Sequence, residues 1–359
     1  MSNGHILLGM SGGIDSTAAC LMLQEQGFEV VGLTMLTTSH SDASSAVEVA
    51  RKLSIEHHVV DARQEFHDIV VQSFTQEYLQ GRTPNPCVRC NTLFKERLLC
   101  EWADRTHCQR VATGHYCRLQ HTGNRWYVRR AADATKDQSY FLWQLPQHIL
   151  RRLCFPLGEL TKQQVRLYLE SKGFEAKAHE GESMEVCFIP TDYRDFLRNE
   201  CPDIDQCIGP GRFVNKQGVA IGTHKGYPFY TIGQRKGLRI ALGEPAYVLR
   251  INAEKNTVML GAAADLEASF MVCQPPQGDT SLILSHPQLT VRIRYRSQAL
   301  PCHTRLLADG RLLVRFLTPA SAITPGQSAV FYAGDCVAGG ACIDSQRGIL
   351  KLASENNDL

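Results

Sequence analysis

The chain has 359 residues, 43% of them hydrophobic and 21% charged, with 38 Lys and Arg against 36 Asp and Glu for a net charge of +2. That length supports two or three domains, and the charge balance excludes a global polyanion-binding surface, so any nucleic-acid contact must be local. Met1-Ser2-Asn3-Gly4-His5 shows no basic region followed by an apolar core, and no apolar run approaches the roughly 18 residues that cross a bilayer. The expectation is a cytoplasmic protein with no membrane partner, whose 14 cysteines are mostly reduced and structural.

In chain order, Ile6-Leu7-Leu8 predicts a buried strand that runs into Gly9-Met10-Ser11-Gly12-Gly13-Ile14-Asp15-Ser16 and then into the helical pattern from Thr17 to Leu23. A strand that ends in a small-residue turn and opens into a helix aims backbone N–H groups and the helix dipole at an anion. The glycines admit close approach of phosphate oxygens, and Ser11, Ser16 and Thr17 add hydroxyl donors. Asp15 would repel a phosphate unless Mg²⁺ bridged the two, which argues for ATP with metal. No lysine follows the second glycine, so γ-phosphate transfer is not expected. Ser-Gly-Gly-x-Asp-Ser is the signature of ATP pyrophosphatases that cleave between the α and β phosphates.

Val30 to Met35 predicts a second strand, Ser44 to Leu53 a helix, Ile55 to Val60 a third strand and Arg110 to Thr113 a fourth. This alternation implies an α/β domain with a doubly wound parallel sheet and ligands at the carboxyl ends of its strands. Met35 and Gly114 stand at two such ends, as candidates for the adenine and ribose pocket.

Between these elements lies Gly81-Arg82-Thr83-Pro84-Asn85-Pro86-Cys87-Val88-Arg89-Cys90-Asn91. Two prolines predict a rigid loop, and Arg82 and Arg89 beside the Cys87–Cys90 pair predict acidified thiols. A lone CxxC reads equally as a redox pair, half a metal site or coincidence. Further on, Cys187 follows the polar, Gly-containing stretch Ala178 to Ser183 and sits in Glu185-Val186-Cys187-Phe188-Ile189-Pro190, read as the entry to an apolar strand.

From about residue 196, Gly209-Pro210-Gly211 and Lys216-Gln217-Gly218 mark turns of a small β-containing middle domain ending near 262. Beyond it, strands at Thr290 to Arg296, Leu312 to Phe316 and Ser328 to Tyr332 alternate with Asp-Gly and Pro-Gly turns, as in a small β-barrel. Val291-Arg292-Ile293-Arg294-Tyr295-Arg296 alternates strictly, which as a strand puts three arginines on one face. From Leu289 to Phe316 six arginines face one aspartate with no lysine or glutamate, a candidate phosphate-binding stripe.

Together these residues closely resemble the tRNA-uridine 2-sulfurtransferases. The resemblance spans Gly9 to Ser16, Gly81 to Asn91, Ala112-Thr113-Gly114-His115-Tyr116, Lys136-Asp137-Gln138-Ser139-Tyr140-Phe141-Leu142, Cys187-Phe188-Ile189, Thr231 to Leu238, Arg294-Tyr295-Arg296 and Thr324 to Val330. It implies an ATP pyrophosphatase domain over 1–195, a middle tRNA-contact domain over 196–262 and a C-terminal β-barrel over 263–359. It implies Cys90 as nucleophile, Cys187 as persulfide carrier, and tRNA contacts at Asn85, Pro86, Cys87, His115, Lys136, Asp137, Gln138, Arg294, Tyr295 and Gln327. The implied partners are tRNA and a sulfur-donor protein, either a cysteine desulfurase or a sulfur relay, with the chain acting as a monomer.

Chemically, uridine C2 carries an oxygen that will not leave, so it must be adenylated before a persulfide sulfur can replace it. The resemblance further implies a Cys90–Cys187 disulfide as by-product and a base flipped out of its stack. Many relatives of this kind carry aspartate where this chain has Cys87. Cys87, Cys90 and Cys187 could therefore ligate a 4Fe–4S cluster, as in related thiolases. A ligase that adenylates a small carboxylate and a non-catalytic tRNA-binding protein are the rival readings; neither needs all three thiols.

Overall fold

In the computed structural model, residues 3–181, 186–240 and 244–344 are described. Ser183 and Glu185 of the Cys187 segment, and 345–359 of the expected last domain, lie outside them. The chain divides into two compact units. One comprises 1–71, 87–188 and 335–337, and the other 72–86, 189–334 and 338–359. Among the described residues no helix is long and apolar enough to cross a membrane.

The first unit is built on strands β1 (His5–Gly9), β2 (Glu29–Leu36), β3 (Glu56–Asp61) and β4 (Arg110–Ala112). With Leu153–Cys154 they form a sheet of order β3-β2-β1-β4-(153–154), parallel throughout. Ile6, Leu7 and Leu8 are fully buried, as both-face coverage of a central parallel strand requires. Helix α1 (Ile14–Glu25) packs on this sheet through Ala18, Ala19, Cys20 and Leu23, and α2 (Ser44–Lys52) adds Ala46, Val49 and Ala50 to the same core. The four expected strands and the helix from Ser44 are present to within a residue.

Two expectations in this unit change. Pro86 to Arg89 is a short helix, continued by a π-helical segment Cys90–Lys95. Proline is tolerated at a first helical position, where its N–H has no partner in any case. No strand follows Cys187; Cys187 and Phe188 lie in a turn, and Phe188 instead packs edge-on against Phe66 at 5.6 Å.

The second unit holds a four-stranded sheet in the order Tyr247–Asn252, Thr257–Gly261, Gly211–Val214, Ala220–His224. An antiparallel array follows, in the order Glu267–Cys273, Leu312–Ser321, Leu300–Leu306, Leu289–Arg292, Ser328–Ala333 and Cys336–Cys342. Its core is Met271, Val291, Ile293, Val314, Phe316 and Phe331. The expected strand from Thr290 to Arg296 stops at Arg292. A turn closes there, with Ser297 N–H donating to the Arg294 carbonyl at 3.1 Å and Arg292 donating to the Ser297 and Tyr295 carbonyls. The apolar half of the alternation holds, since Val291 and Ile293 are buried; the three-arginine face does not form.

Candidate active site

The loop between β1 and α1 is shaped by local chemistry. Gly12 adopts φ +76°, and a Cβ there would lie 2.4 Å from the Ala46 backbone nitrogen. Only glycine fits both the conformation and the gap. Ser16 Oγ and Thr17 Oγ1 donate to the Gly13 carbonyl at 3.1 and 2.9 Å, and Ser11 Oγ lies 3.2 Å from Ser16 Oγ. No side chain caps the amino end of α1, so its first-turn N–H groups are left to an anion.

Two lysines complete the loop's surroundings. Lys162 Nζ donates to Asp15 Oδ1 at 2.7 Å, and Tyr116 OH donates to the same oxygen at 2.7 Å. The lysine is in turn seated by its backbone N–H on Asp133 Oδ2 at 3.0 Å. Lys177 Nζ donates to Ser45 Oγ at 2.9 Å, and that hydroxyl donates to the Gly12 carbonyl at 3.0 Å. Asp15 thus has a protein cation, Lys162, as partner.

The turn after β4 links this loop to the thiols. A Cβ on Gly114 would stand 3.1 Å from the Asp15 backbone carbon, so the turn lies directly on the start of α1. The next residue, His115, is buried; its Nδ1 lies 2.8 Å from Thr113 Oγ1 and its Nε2 3.2 Å from Lys95 Nζ. Burial, aided by Lys95, holds His115 well below its ordinary pKa, so it is a neutral hydrogen-bonding group. Lys95 ends the π-helical segment that begins with Cys90. An i→i+5 turn stacks residues five apart, which an α-helix would splay.

Cys87 and Cys90 are partly buried and Cys187 is exposed. Desolvation pushes Cys87 up to about 11 and Cys90 up to about 12, and Lys95 pulls both down. Cys187 is also raised by desolvation and lowered by Lys95. The three thiols also act on one another electrostatically: Cys187 raises both Cys87 and Cys90. Phe66 joins the segments that carry Cys90 and Cys187, because its ring packs on Phe94 of the π-helical segment at 5.3 Å and on Phe188 at 5.6 Å. The expected activation by Arg82 and Arg89 is corrected. Arg82 pairs with Glu77, and Arg89 Nε donates to the Ile69 carbonyl at 2.6 Å, so neither appears among the charges that shift these thiols.

Among the described residues no group of three or more His, Cys, Asp or Glu is placed to hold a metal ion. Cys87, Cys90 and Cys187 do not form such a group.

The remaining expected residues take distinct positions. Met35 is half-buried near the carboxyl end of β2. Asp137 is buried and accepts from the Ala131 and Ser139 N–H groups, and Gln138 Oε1 accepts from the Tyr116 N–H at 2.9 Å, while Lys136 is half-buried beside them. In the second unit, Gln327 Nε2 donates to the Thr83 and Pro84 carbonyls at 3.0 and 2.7 Å, which fixes the approach to Asn85 and Pro86. Arg294 donates to the Ile232 and Ala322 carbonyls at 2.9 and 3.1 Å and to Thr324 Oγ1, and Tyr295 is half-buried. Lys95, Lys162 and Lys177 carried no motif, and distance in sequence hid them: Lys162 meets Asp15 across 147 positions.

Comparison with known proteins adds an independent line. Residues 4–191 match the family described as tRNA methyl transferase HUP domain, 194–262 its PRC-barrel domain, and 270–343 an aminomethyltransferase beta-barrel domain. The chain is 60% identical to tRNA-specific 2-thiouridylase MnmA 3 of Phocaeicola vulgatus, covering 99% of this chain and 98% of that one. It is 59% identical to the protein of the same name from Bacteroides fragilis, over 99% of each chain. It is 42% identical to tRNA-specific 2-thiouridylase MnmA of Amoebophilus asiaticus, over 96% of each.

Proposed function

The chain belongs to the tRNA-specific 2-thiouridylase family of enzymes, and from that membership we propose that it thiolates uridine in tRNA at C2 of the wobble base, with Mg-ATP as co-substrate. The observation that carries the reading is the turn Thr113-Gly114-His115, which lies against Asp15 of the anion-binding loop on one side and against Lys95 on the other, with Cys90 and Cys187 under the influence of that lysine.

The loop Gly9 to Ser16 receives the phosphates on the amino end of α1, with Lys162 and Lys177 as flanking cations and Met35 and Gly114 bordering the nucleoside. The uridine C2 oxygen attacks the α-phosphorus and pyrophosphate departs with the electron pair of the broken P–O bond. The terminal sulfur of a Cys187 persulfide, charged by a donor protein, then forms a bond to C2 and AMP leaves with the former C2 oxygen. Attack of the Cys90 thiolate on the Cys187 sulfur breaks the S–S bond. The electron pair goes to the thiouridine sulfur, and a Cys90–Cys187 disulfide remains for an external thiol to reduce. Asn85, Pro86, Cys87 and His115 frame the flipped base, and Lys136, Asp137, Gln138, Arg294, Tyr295 and Gln327 support the bound tRNA, directly or by holding backbone.

Nucleoside mass spectrometry on unmodified tRNA incubated with the protein, Mg-ATP and a persulfide donor tests this. ATP-dependent 2-thiouridine is expected, abolished in Cys187→Ser and Cys90→Ser. Full activity in Cys187→Ser, or pyrophosphate release with no thiouridine under persulfide supply, overturns the sulfur route.

A further inference from the structure

Thr231 to Leu238 carries part of the family resemblance, yet none of the residues placed in the site comes from it. In the second unit this stretch is a loop held at many points. Ile232 and Leu238 are buried. The Gln234 side chain spans the turn, with Oε1 accepting from the Thr231 N–H at 3.1 Å and Nε2 donating to the Lys236 carbonyl at 3.0 Å. The Gly233 N–H donates to the Val248 carbonyl at 2.8 Å, and the Val248 N–H donates to the Gln234 carbonyl at 3.0 Å, which ties the loop to the strand Tyr247–Asn252. Arg294 holds it through the Ile232 carbonyl at 2.9 Å. Gly233 has φ +84°, and a Cβ there would lie 3.0 Å from the Ala322 Cβ, so the loop is pressed against its neighbour.

The groups that this frame presents outward have no partners of their own. Arg235, Lys236 and Arg239 are exposed, and among the described residues no carboxylate pairs with any of them. The backbone N–H groups of Arg235, Lys236 and Gly237 meet no acceptor among those residues either. From Lys225 to Arg250 five Lys and Arg stand against one Glu and no Asp, in a chain whose net charge is +2. Neighbouring cations without a counter-charge repel one another, and a backbone tied at this many points cannot rearrange to relieve it. No exposed side chain from 233 to 239 is apolar, so the surface lacks the aromatic and aliphatic anchors of a protein interface. Fixed cations and free N–H donors without such anchors suit a nucleic-acid backbone, whose phosphates are met by charge and carry no sequence.

We propose that loop 233–239 is a phosphate-binding surface for the tRNA backbone, with Arg235, Lys236 and Arg239 as its cations. The inference rests on tRNA as the substrate and adds the surface that receives its backbone. Because the frame is already formed, little conformational entropy is lost when phosphates dock.

Binding of unmodified tRNA to the full-length protein is measured by fluorescence anisotropy from about 50 to 200 mM KCl. The parent is compared with Arg235→Gln/Lys236→Gln, with Arg239→Gln, and with the exchanged pair Arg235→Lys/Lys236→Arg. Each phosphate contact contributes roughly one unit to the slope of log affinity against log salt. The Gln pair should therefore flatten that slope by about 2 and raise Kd at least about tenfold at low salt, and Arg239→Gln should flatten it by about 1. The exchanged pair keeps both charges and should keep the slope. In thiouridine formation the loss in the Gln pair should fall on KM for tRNA rather than on kcat. A folding defect lowers the fraction of protein that binds and leaves the slope of the remainder unchanged, so the slope tells it apart from a lost contact. A slope within about half a unit of the parent in the Gln pair overturns the proposal, as does an equal loss in the exchanged pair. A parent that does not bind tRNA overturns the substrate reading and the proposal with it, a result distinct from any difference among the variants.

Discussion

Glu96 shows how burial turns an ordinary residue into one with a pH-dependent cost. Its carboxyl is raised from the usual 4.5 to about 7 by desolvation, so the folded state binds the proton more tightly than the unfolded chain. The associated stability is fully present below about pH 4.5 and is lost as pH rises through about 7. Between pH 5 and 8 this group alone should cost about 2–3 kcal/mol. Urea unfolding of the parent and Glu96→Gln at those two pH values checks it: the parent should lose that much more stability than the variant, and equal losses would place the carboxyl near its ordinary value. Cys90 follows the same rule. Two flanking arginines suggested an acidic thiol, but Arg89 is spent on a backbone carbonyl and Arg82 on Glu77, and desolvation outweighs what Lys95 contributes. Residue types in a motif identify which atoms are available; burial and the partners of neighbouring charges set their ionisation.

At the scale of elements, the anion-binding loop was legible because its determinants are contiguous. A buried strand, glycines and hydroxyl residues at helix-opening positions specify strand, turn and helix with little help from elsewhere. The gap between Gly12 and α2 adds a tertiary demand. Gly12→Ala combines a strained φ of +76° with a contact 2.4 Å from the Ala46 nitrogen, so α2 must move away from the loop. We expect a loss of about 2 kcal/mol or more together with loss of ATP-dependent pyrophosphate release, measured by urea unfolding and pyrophosphate assay. Near-parental values for both would mean that the loop can relax. The π-helical segment Cys90–Lys95 was not legible. Prolines at 84 and 86 suggested a loop, yet Pro86 opens a helix, and a π turn depends on packing such as Phe94 against Phe66 rather than on a sequence pattern.

At the scale of the molecule, the arginine alternation from Val291 to Arg296 read as a phosphate-binding face, and the second unit uses its central arginine internally. Arg294 ties the Ile232 carbonyl to Ala322 and Thr324, joining segments 62 and about 30 residues away. Arg294→Met should therefore destabilise the second unit by about 2–4 kcal/mol, since bonds from a charged donor are lost and the carbonyls are left unpaired. Faster hydrogen exchange in Leu289–Arg292 and Leu312–Ser321 would show it, whereas weaker tRNA binding with parental exchange would return this residue to a purely surface role. The strands of the parallel sheet and the strand–turn–helix course of the loop Gly9 to Ser16 were determined by the sequence by itself, because period-two and helical hydrophobic patterns and turn chemistry act over a few residues. Which cation meets Asp15, which charge governs Cys90 and which arginines remain outward were decided only by tertiary structure. Those depend on desolvation and on partners as far away as Lys162, and no local pattern encodes either.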